Sequence, residues 1–110
     1  MEVRATAKQI RVSPRKVRLV LNTIRGRKVD EALNLLDFLP NASARIVAKL
    51  VRSAAANAEN NYNMLPSQLR VVGAYADEGY RLKRFRAGSR GRVNPYRHRF
   101  SHITVVVEEE

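Results

Sequence analysis

The feature that most constrains this fold is a cationic, acid-free segment between Tyr80 and Phe100. It carries eight Lys or Arg residues, no Asp or Glu, two glycines and four of the seven aromatic residues of the chain. Such a segment has too few aliphatic side chains to offset the entropy of ordering a core of its own. Segments of alternating polarity precede and follow it, so we predict that residues 80–100 form the far end of a long β-hairpin.

The charge of the whole chain is concentrated in two clusters. Residues 1–28 hold nine basic residues and one acid, the hairpin segment holds eight and none, and residues 29–79 hold four basic residues against six acids. The formal net charge is +11, and 16 of the 21 basic residues are Arg. Because Arg binds phosphates in pairs of hydrogen bonds and stacks on flat rings, this distribution favours a nucleic-acid partner. A solvated charged surface is the plain alternative, and it does not explain why aromatic residues are interleaved with the cations.

Hydrophobic periodicity predicts the remaining elements. Alternation over residues 2–10 and from Ser101 to Val107 predicts strands. Ser13 and Pro14 are typical of a helix start, and apolar residues at spacings of three and four follow them. A second helix is predicted from Asp30 to Pro40, and a third over roughly 42–62.

Another strand is predicted from Gln68 to Ala76, with Leu69, Val71, Gly73 and Tyr75 on one face. Together these elements predict an α+β fold, with a three-stranded antiparallel sheet packed with three helices and extended by the long hairpin. At 110 residues the chain is expected to be a single domain, with a globular body of 1–79 and 101–110 and a basic hairpin of 80–100. The acidic end, Glu108 to Glu110, is predicted to be solvated.

The sequence offers little for catalysis or metal binding. Asp77 and Glu78 are neighbours on a predicted strand, so their side chains point to opposite faces and a shared acid–base site is not expected. His98 and His102 fall on a strand, where four residues span about 13 Å, too far for one metal ion. There are no cysteines. We therefore expect no enzymatic activity, no catalytic or metal-binding residues and no cofactor.

The predicted RNA-binding residues are the cations of the two basic clusters. They are Arg4, Lys8, Arg11, Arg15, Lys16, Arg18, Arg25, Arg27 and Lys28 near the N-terminus, and Arg81, Lys83, Arg84, Arg86, Arg90, Arg92, Arg97 and Arg99 in the hairpin.

Several ordered motifs resemble one known family. They are Ser13-Pro14-Arg15-Lys16-Val17-Arg18-Leu19-Val20, Ile24-Arg25-Gly26, Ser53-Ala54-Ala55-Ala56-Asn57-Ala58-Glu59-Asn60, Asp77-Glu78-Gly79, Leu82-Lys83-Arg84, Gly91-Arg92 and Ser101-His102-Ile103-Thr104-Val105. In this order and spacing, the chain resembles the bacterial large-subunit ribosomal proteins of the twenty-two family, over nearly all of its length.

That resemblance implies a non-catalytic protein in the large ribosomal subunit of the cytoplasm; it does not separate a bacterial from an organellar ribosome. It implies large-subunit ribosomal RNA, neighbouring ribosomal proteins and the nascent peptide as partners, with no membrane and no homo-oligomer. It also implies a hairpin that reaches the wall of the peptide exit tunnel. The tunnel-facing residues would be Leu82, Lys83, Arg84, Gly88, Arg90, Gly91 and Arg92. The alternative that the residues leave open is a free-standing RNA- or DNA-binding regulator or RNA chaperone.

Overall fold

A computed structural model of the chain describes residues 2–10, 12–40, 42–87 and 93–109, and for Gln9 and residues 79–99 of these it describes the backbone alone. Within those ranges the chain forms three α-helices, one short 3-10 turn and three β-strands. They are β1 (Glu2–Ile10), α1 (Pro14–Ile24), α2 (Val29–Phe38), α3 (Ala42–Tyr62), the turn Pro66–Gln68, β2 (Leu69–Ala87) and β3 (Val93–Glu109).

The strands form one antiparallel sheet in the order β1-β3-β2, so that β3 is central and β1 and β2 are its edges. The predicted α+β class, with three helices, a three-stranded antiparallel sheet and a long β2–β3 hairpin, is confirmed. The molecule measures 62 × 26 × 17 Å. A strand of 19 residues at about 3.3 Å per residue is about 60 Å long, so β2 accounts for the long dimension. The division of a single domain into body and hairpin stays a prediction.

The core lies between the helices and one face of the sheet. On α1, Val17, Val20, Leu21 and Ile24 are buried as predicted. Ser13 occupies the N-cap position, but its hydroxyl caps no described N–H; its main-chain carbonyl instead accepts hydrogen bonds from the N–H groups of residues 16 and 17.

Helix α3 supplies the longest buried surface and spans the predicted 42–62. Ala54 and Ala58 are fully buried, which allows α3 to approach the sheet closely. The side-chain amide nitrogen of Asn57 donates to the carbonyl oxygen of Arg4 on β1 (3.4 Å), so β1 is a strand that approaches this part of α3. Tyr62, the last residue of the helix, is 49% exposed.

Strand β2 departs from the predicted alternation because it is bulged. Its register against β3 shifts between Val71 and Gly73, and again between Glu78 and Arg81. Each shift places one extra residue on β2, and an extra residue exchanges the faces of all that follow. Ala74 and Ala76 are therefore buried, and Tyr75, predicted on the face of Leu69 and Val71, is 51% exposed.

Glu108 and Glu109 of the acidic end belong to the sheet, and Glu109 is exposed, as predicted for a solvated end; Glu110 lies outside the described residues. Glu108 pairs with Glu2 and Arg70 across the sheet, and β3 extends to Glu109. The Glu109 carboxylate accepts a hydrogen bond from the main-chain N–H of Leu65 (2.7 Å), which ties the loop after α3 to the end of the sheet.

Candidate nucleic-acid interface

The N-terminal basic cluster lies on the surface. Its eight cations with described side chains are all exposed: Arg4, Lys8, Arg15, Lys16, Arg18, Arg25, Arg27 and Lys28. They differ in what holds them. The side chains of Arg15 and Lys16, in the first turn of α1, donate to no described residue, so among the described residues nothing competes with a ligand for them.

Arg18 and Arg25 are instead held by the edge of the sheet. Arg18 donates through Nε (3.0 Å) and Nη2 (2.7 Å) to the carbonyl oxygen of Ala76. Arg25 donates in the same way to the carbonyl oxygen of Ala74, at 3.0 and 2.6 Å. We call this pair the arginine clamp. It satisfies two outward-facing carbonyls of edge strand β2, which would otherwise depend on water.

The arginine clamp leaves part of each guanidinium free for another anion. A guanidinium has five N–H donors, of which the Ala76 carbonyl uses two on Arg18. On Arg25 a third donor binds the side-chain oxygen of Asn22. Both side chains are exposed. The clamp can therefore hold β2 and still contact phosphate, with Arg18 offering more donors.

The chain after α1 continues the cover of the β2 edge. The N–H of Gly26 donates to the carbonyl of Val71 (2.8 Å), and the N–H of Val71 donates back to the carbonyl of Arg27 (2.9 Å). Gly26 has a φ of +78°, a conformation that favours glycine. Arg27 also donates through Nε to the carbonyl of Thr23 (2.8 Å), which holds its guanidinium against the end of α1.

The backbone of the hairpin arms pairs cations with cations. Arg81 is the cross-strand partner of Arg99, and Lys83 is the partner of Arg97. Like charges at directly opposite positions of an antiparallel pair are destabilising. A bound anion would offset this repulsion between paired cations. Such a pairing is therefore expected in a segment that binds a polyanion.

The other predicted hairpin residues divide by position. Leu82, Arg84 and Arg86 also lie in the described backbone of β2. Arg11, Gly88, Arg90, Gly91 and Arg92 lie outside the described residues.

Helix α3 carries cations that the sequence prediction left out. Arg45, Lys49 and Arg52 are exposed and spaced four and three residues apart, so they share one face. Arg52 lies 3.6 Å from the carboxylate of Asp37, with both side chains more than half exposed. The sequence prediction omitted these cations because residues 29–79 as a whole hold more acids than basic residues. The helical spacing of the three cations would have predicted a shared basic face.

The predicted candidates for chemistry do not converge. Asp77 and Glu78 are both exposed on β2, and no three His, Asp or Glu side chains of the described residues are grouped to hold a metal ion. None of the helices in the described ranges is long and apolar enough to cross a bilayer.

Comparison with known protein families identifies the family to which this chain is similar. The model of the family described as "Ribosomal protein L22p/L17e" matches residues 5–108, nearly the whole chain. This chain belongs to the ribosomal protein L22p/L17e family.

Relatives agree over the full length. A protein named "Large ribosomal subunit protein uL22" from Thermoanaerobacter sp. (strain X514) is 54% identical over 110 residues, which cover all of this chain and 99% of the relative. Proteins of the same name from Dehalococcoides mccartyi (strain CBDB1) and Halothermothrix orenii are 50% and 49% identical, over 99% and 100% of this chain and 100% and 97% of their own lengths. The family predicted from the ordered sequence motifs is therefore confirmed, and so is its non-enzymatic character. The match over residues 5–108 includes both the basic surface of α1 and the hairpin, so both belong to the part of the chain that the L22p/L17e family shares.

Proposed function

We propose that this protein is a structural constituent of the large ribosomal subunit in the cytoplasm, where it binds large-subunit ribosomal RNA and contacts neighbouring ribosomal proteins. It has no enzymatic activity. Family membership over residues 5–108 is the observation that carries this proposal. The exposed cations of α1 support it from the molecule's own chemistry, since the side chains of Arg15 and Lys16 bond to no described residue.

RNA binding would involve three parts of the molecule: the first turn of α1, the arginine clamp and the hairpin. Arg15 and Lys16 are the phosphate contacts of the body, because no described group competes for them. The arginine clamp fixes the strand from which the hairpin departs and offers its remaining donors to RNA. The arms of the hairpin, with cations opposite cations, enter RNA and carry residues 82–84 and the tip toward the wall of the peptide exit tunnel, beside the nascent peptide.

Retention in the large subunit separates this role from that of a free-standing RNA-binding regulator. Large subunits assembled with tagged protein are washed at rising salt concentration and sedimented. A constituent stays with the subunit at salt concentrations that remove loosely bound proteins, whereas a regulator is released. Release of this protein together with the loosely bound fraction would reject the proposal.

The tunnel position needs a separate test that leaves the body intact. Residues 83–86 pair with 94–97. Removing both sets shortens the hairpin by about 13 Å without changing the register of the remaining pairs. We expect the shortened protein to enter the subunit, since the body and its α1 cations remain. We also expect altered macrolide binding and altered stalling by nascent peptides. Incorporation with both properties unchanged would place the tip away from the tunnel.

A further inference from the structure

The face of the sheet opposite the helices carries an aligned set of polar and aromatic side chains. Thr6 of β1, Thr104 of β3 and Tyr75 of β2 are cross-strand partners in one row. Partners of this kind project from the same face of a sheet. The hydroxyls of Thr6 and Thr104 are 3.4 Å apart, which agrees with that arrangement. Thr6 and Tyr75 are exposed, so this face meets the solvent where the opposite one meets the core.

The ring of Tyr75 lies along the sheet rather than standing away from it. In the next row, Arg4, Val106 and Gly73 are partners. A Cβ atom placed on Gly73 would lie 2.7 Å from Oη of Tyr75, 3.1 Å from Cζ and 3.4 Å from Cε2. The ring therefore covers the position where residue 73 has no side chain. Val106, the partner of Gly73, is only 2% exposed although it belongs to the solvent face, as expected beneath such a cover.

This arrangement leaves half of an aromatic side chain open to solvent. Tyr75 is 51% exposed although Oη, Cζ and Cε2 of its ring lie close above Gly73. A ring held against the sheet in this way is accessible from the solvent side. Arg4 is exposed and lies in the adjacent row on β1, with one strand between it and Tyr75. An accessible ring with a cation at about this separation on the same face suits an unpaired nucleotide: the base stacks on the ring, and the guanidinium reaches the adjoining phosphate.

We propose that Tyr75 is a stacking platform for one unpaired base of large-subunit ribosomal RNA. Arg4 contacts the adjoining phosphate, and the hydroxyls of Thr6 and Thr104 bind the edge of the base or the ribose 2′-hydroxyl. The inference rests on the proposed function and names one contact of it.

The charges of this face set its footprint. Glu2 and Glu108 lie beyond the row of Arg4, where Arg70 is the cross-strand partner of Glu108, and Asp77 lies beyond the row of Tyr75 as the partner of His102. The two central rows carry a cation and no acid, so the phosphate contact is expected there. The exposed apolar side chains at this point of β2 are Tyr75 and, at the bulge, Val72, which is 42% exposed. Two side chains make a smaller patch than a protein interface needs, so a protein partner is disfavoured.

The experiment compares tyrosines of equal exposure. Binding of the full-length protein to a large-subunit ribosomal RNA transcript is measured for the wild type and for Tyr75→Leu, Tyr75→Phe and Tyr62→Leu. Tyr62 is the matched control, since it is 49% exposed and lies at the end of α3. Loss of one stacked base weakens binding roughly 5- to 150-fold. We expect that loss for Tyr75→Leu and an affinity within about twofold of the wild type for Tyr75→Phe and for Tyr62→Leu.

A chemical footprint reads the same contact without a substitution. Tetranitromethane nitrates exposed tyrosines, and mass spectrometry locates the products. We expect Tyr75 to react in the free protein and to be protected by the transcript, while Tyr62 reacts in both. This measurement also decides the case if Tyr75→Leu fails to fold, which a thermal melt would reveal.

Three outcomes would overturn the inference. Equal affinity of Tyr75→Leu and the wild type would show that no base stacks on Tyr75. A loss for Tyr75→Phe as large as for Tyr75→Leu would assign the effect to the hydroxyl. Unchanged nitration of Tyr75 in the complex would leave the ring uncovered. In each case the wild type still binds the transcript; failure of the wild type to bind would instead reject the proposed function.

Discussion

Replacing Arg18 and Arg25, the two residues of the arginine clamp, with methionine should destabilise the folded protein in the absence of RNA. Arg18 and Arg25 each make two hydrogen bonds, of 2.6 to 3.0 Å, to one carbonyl oxygen of β2. Methionine keeps an unbranched apolar stem and a comparable helix propensity, but it has no donor. The substitution therefore removes the hydrogen bonds and one charge at each position, and changes little else.

The expected magnitude follows from the number and exposure of these bonds. Hydrogen bonds to charged groups contribute about 1.5–3 kcal/mol. Water can reach these exposed side chains and replace part of the loss, so we expect about 1–2 kcal/mol for each arginine and about 2–4 kcal/mol for both. In a domain of this size, each kcal/mol lowers Tm by about 4–8 °C, so the double variant should melt roughly 8–32 °C below the wild type.

The matched control lies on the same helix. Arg15→Met with Lys16→Met removes the same charge from exposed side chains that donate to no described residue. Thermal and urea unfolding followed by circular dichroism give Tm and the free energy of unfolding for both double variants. We expect the control to stay within about 0.5 kcal/mol of the wild type. If the clamp variant also did so, the four hydrogen bonds would have no energetic role and the reasoning would be refuted.

Two further predictions use the same helix. In RNA binding, the Arg15→Met, Lys16→Met variant should lower the slope of log K against log salt by roughly 1.4–1.8, since each phosphate contact contributes about 0.7–0.9; an unchanged slope in a salt titration would show that neither residue contacts phosphate. In the core, Leu21→Ala should cost about 2–5 kcal/mol because Leu21 is fully buried. Leu19→Ala, at a position 68% exposed, should stay within about 0.5 kcal/mol in urea unfolding. Equal losses at residues 19 and 21 would contradict the burial pattern of α1.

Local rules predicted the elements whose determinants are local. The bounds of β1 and α3 follow from alternation and helical spacing over residues adjacent in sequence, and the start of α1 follows from Pro14. Helix α2 begins one residue before the predicted Asp30, at Val29, because the N–H of Ala32 bonds to the carbonyl of Lys28 and so extends the first turn. That difference is within the usual fraying of helix ends.

The bulge in β2 could be predicted in part from the sequence. A glycine inside a strand is typical of a bulge, and Gly73 lies at one. A strict alternation through this point put Tyr75 on the face of Leu69 and Val71 and Ala74 on the opposite face, which is wrong because the bulge exchanges the faces. The glycine was the signal that would have corrected the phase.

The arginine clamp could not be predicted from residue types. The acceptors of Arg18 and Arg25 are main-chain carbonyls that lie 58 and 49 residues further along the chain. Every residue has a carbonyl, so no pattern in the sequence marks Ala74 and Ala76 as partners. Counting cations identified Arg18 and Arg25 as candidate RNA-binding residues but could not distinguish them from Arg15, whose side chain bonds to none of the described residues. Only the packing of α1 beside β2 makes that distinction.

Protection of the β2 edge has a consequence for the protein before it meets its RNA. An unpaired strand edge can recruit the edge of another chain and begin aggregation. Residues 70–76 are covered by the chain after α1 and by two arginines, and the opposite edge, on β1, carries the charges of Arg4 and Lys8. A newly made, unassembled copy is thereby kept from adding to its neighbours. We expect loss of the clamp to appear in the cell first as insoluble protein, before any defect in the assembled particle can be seen.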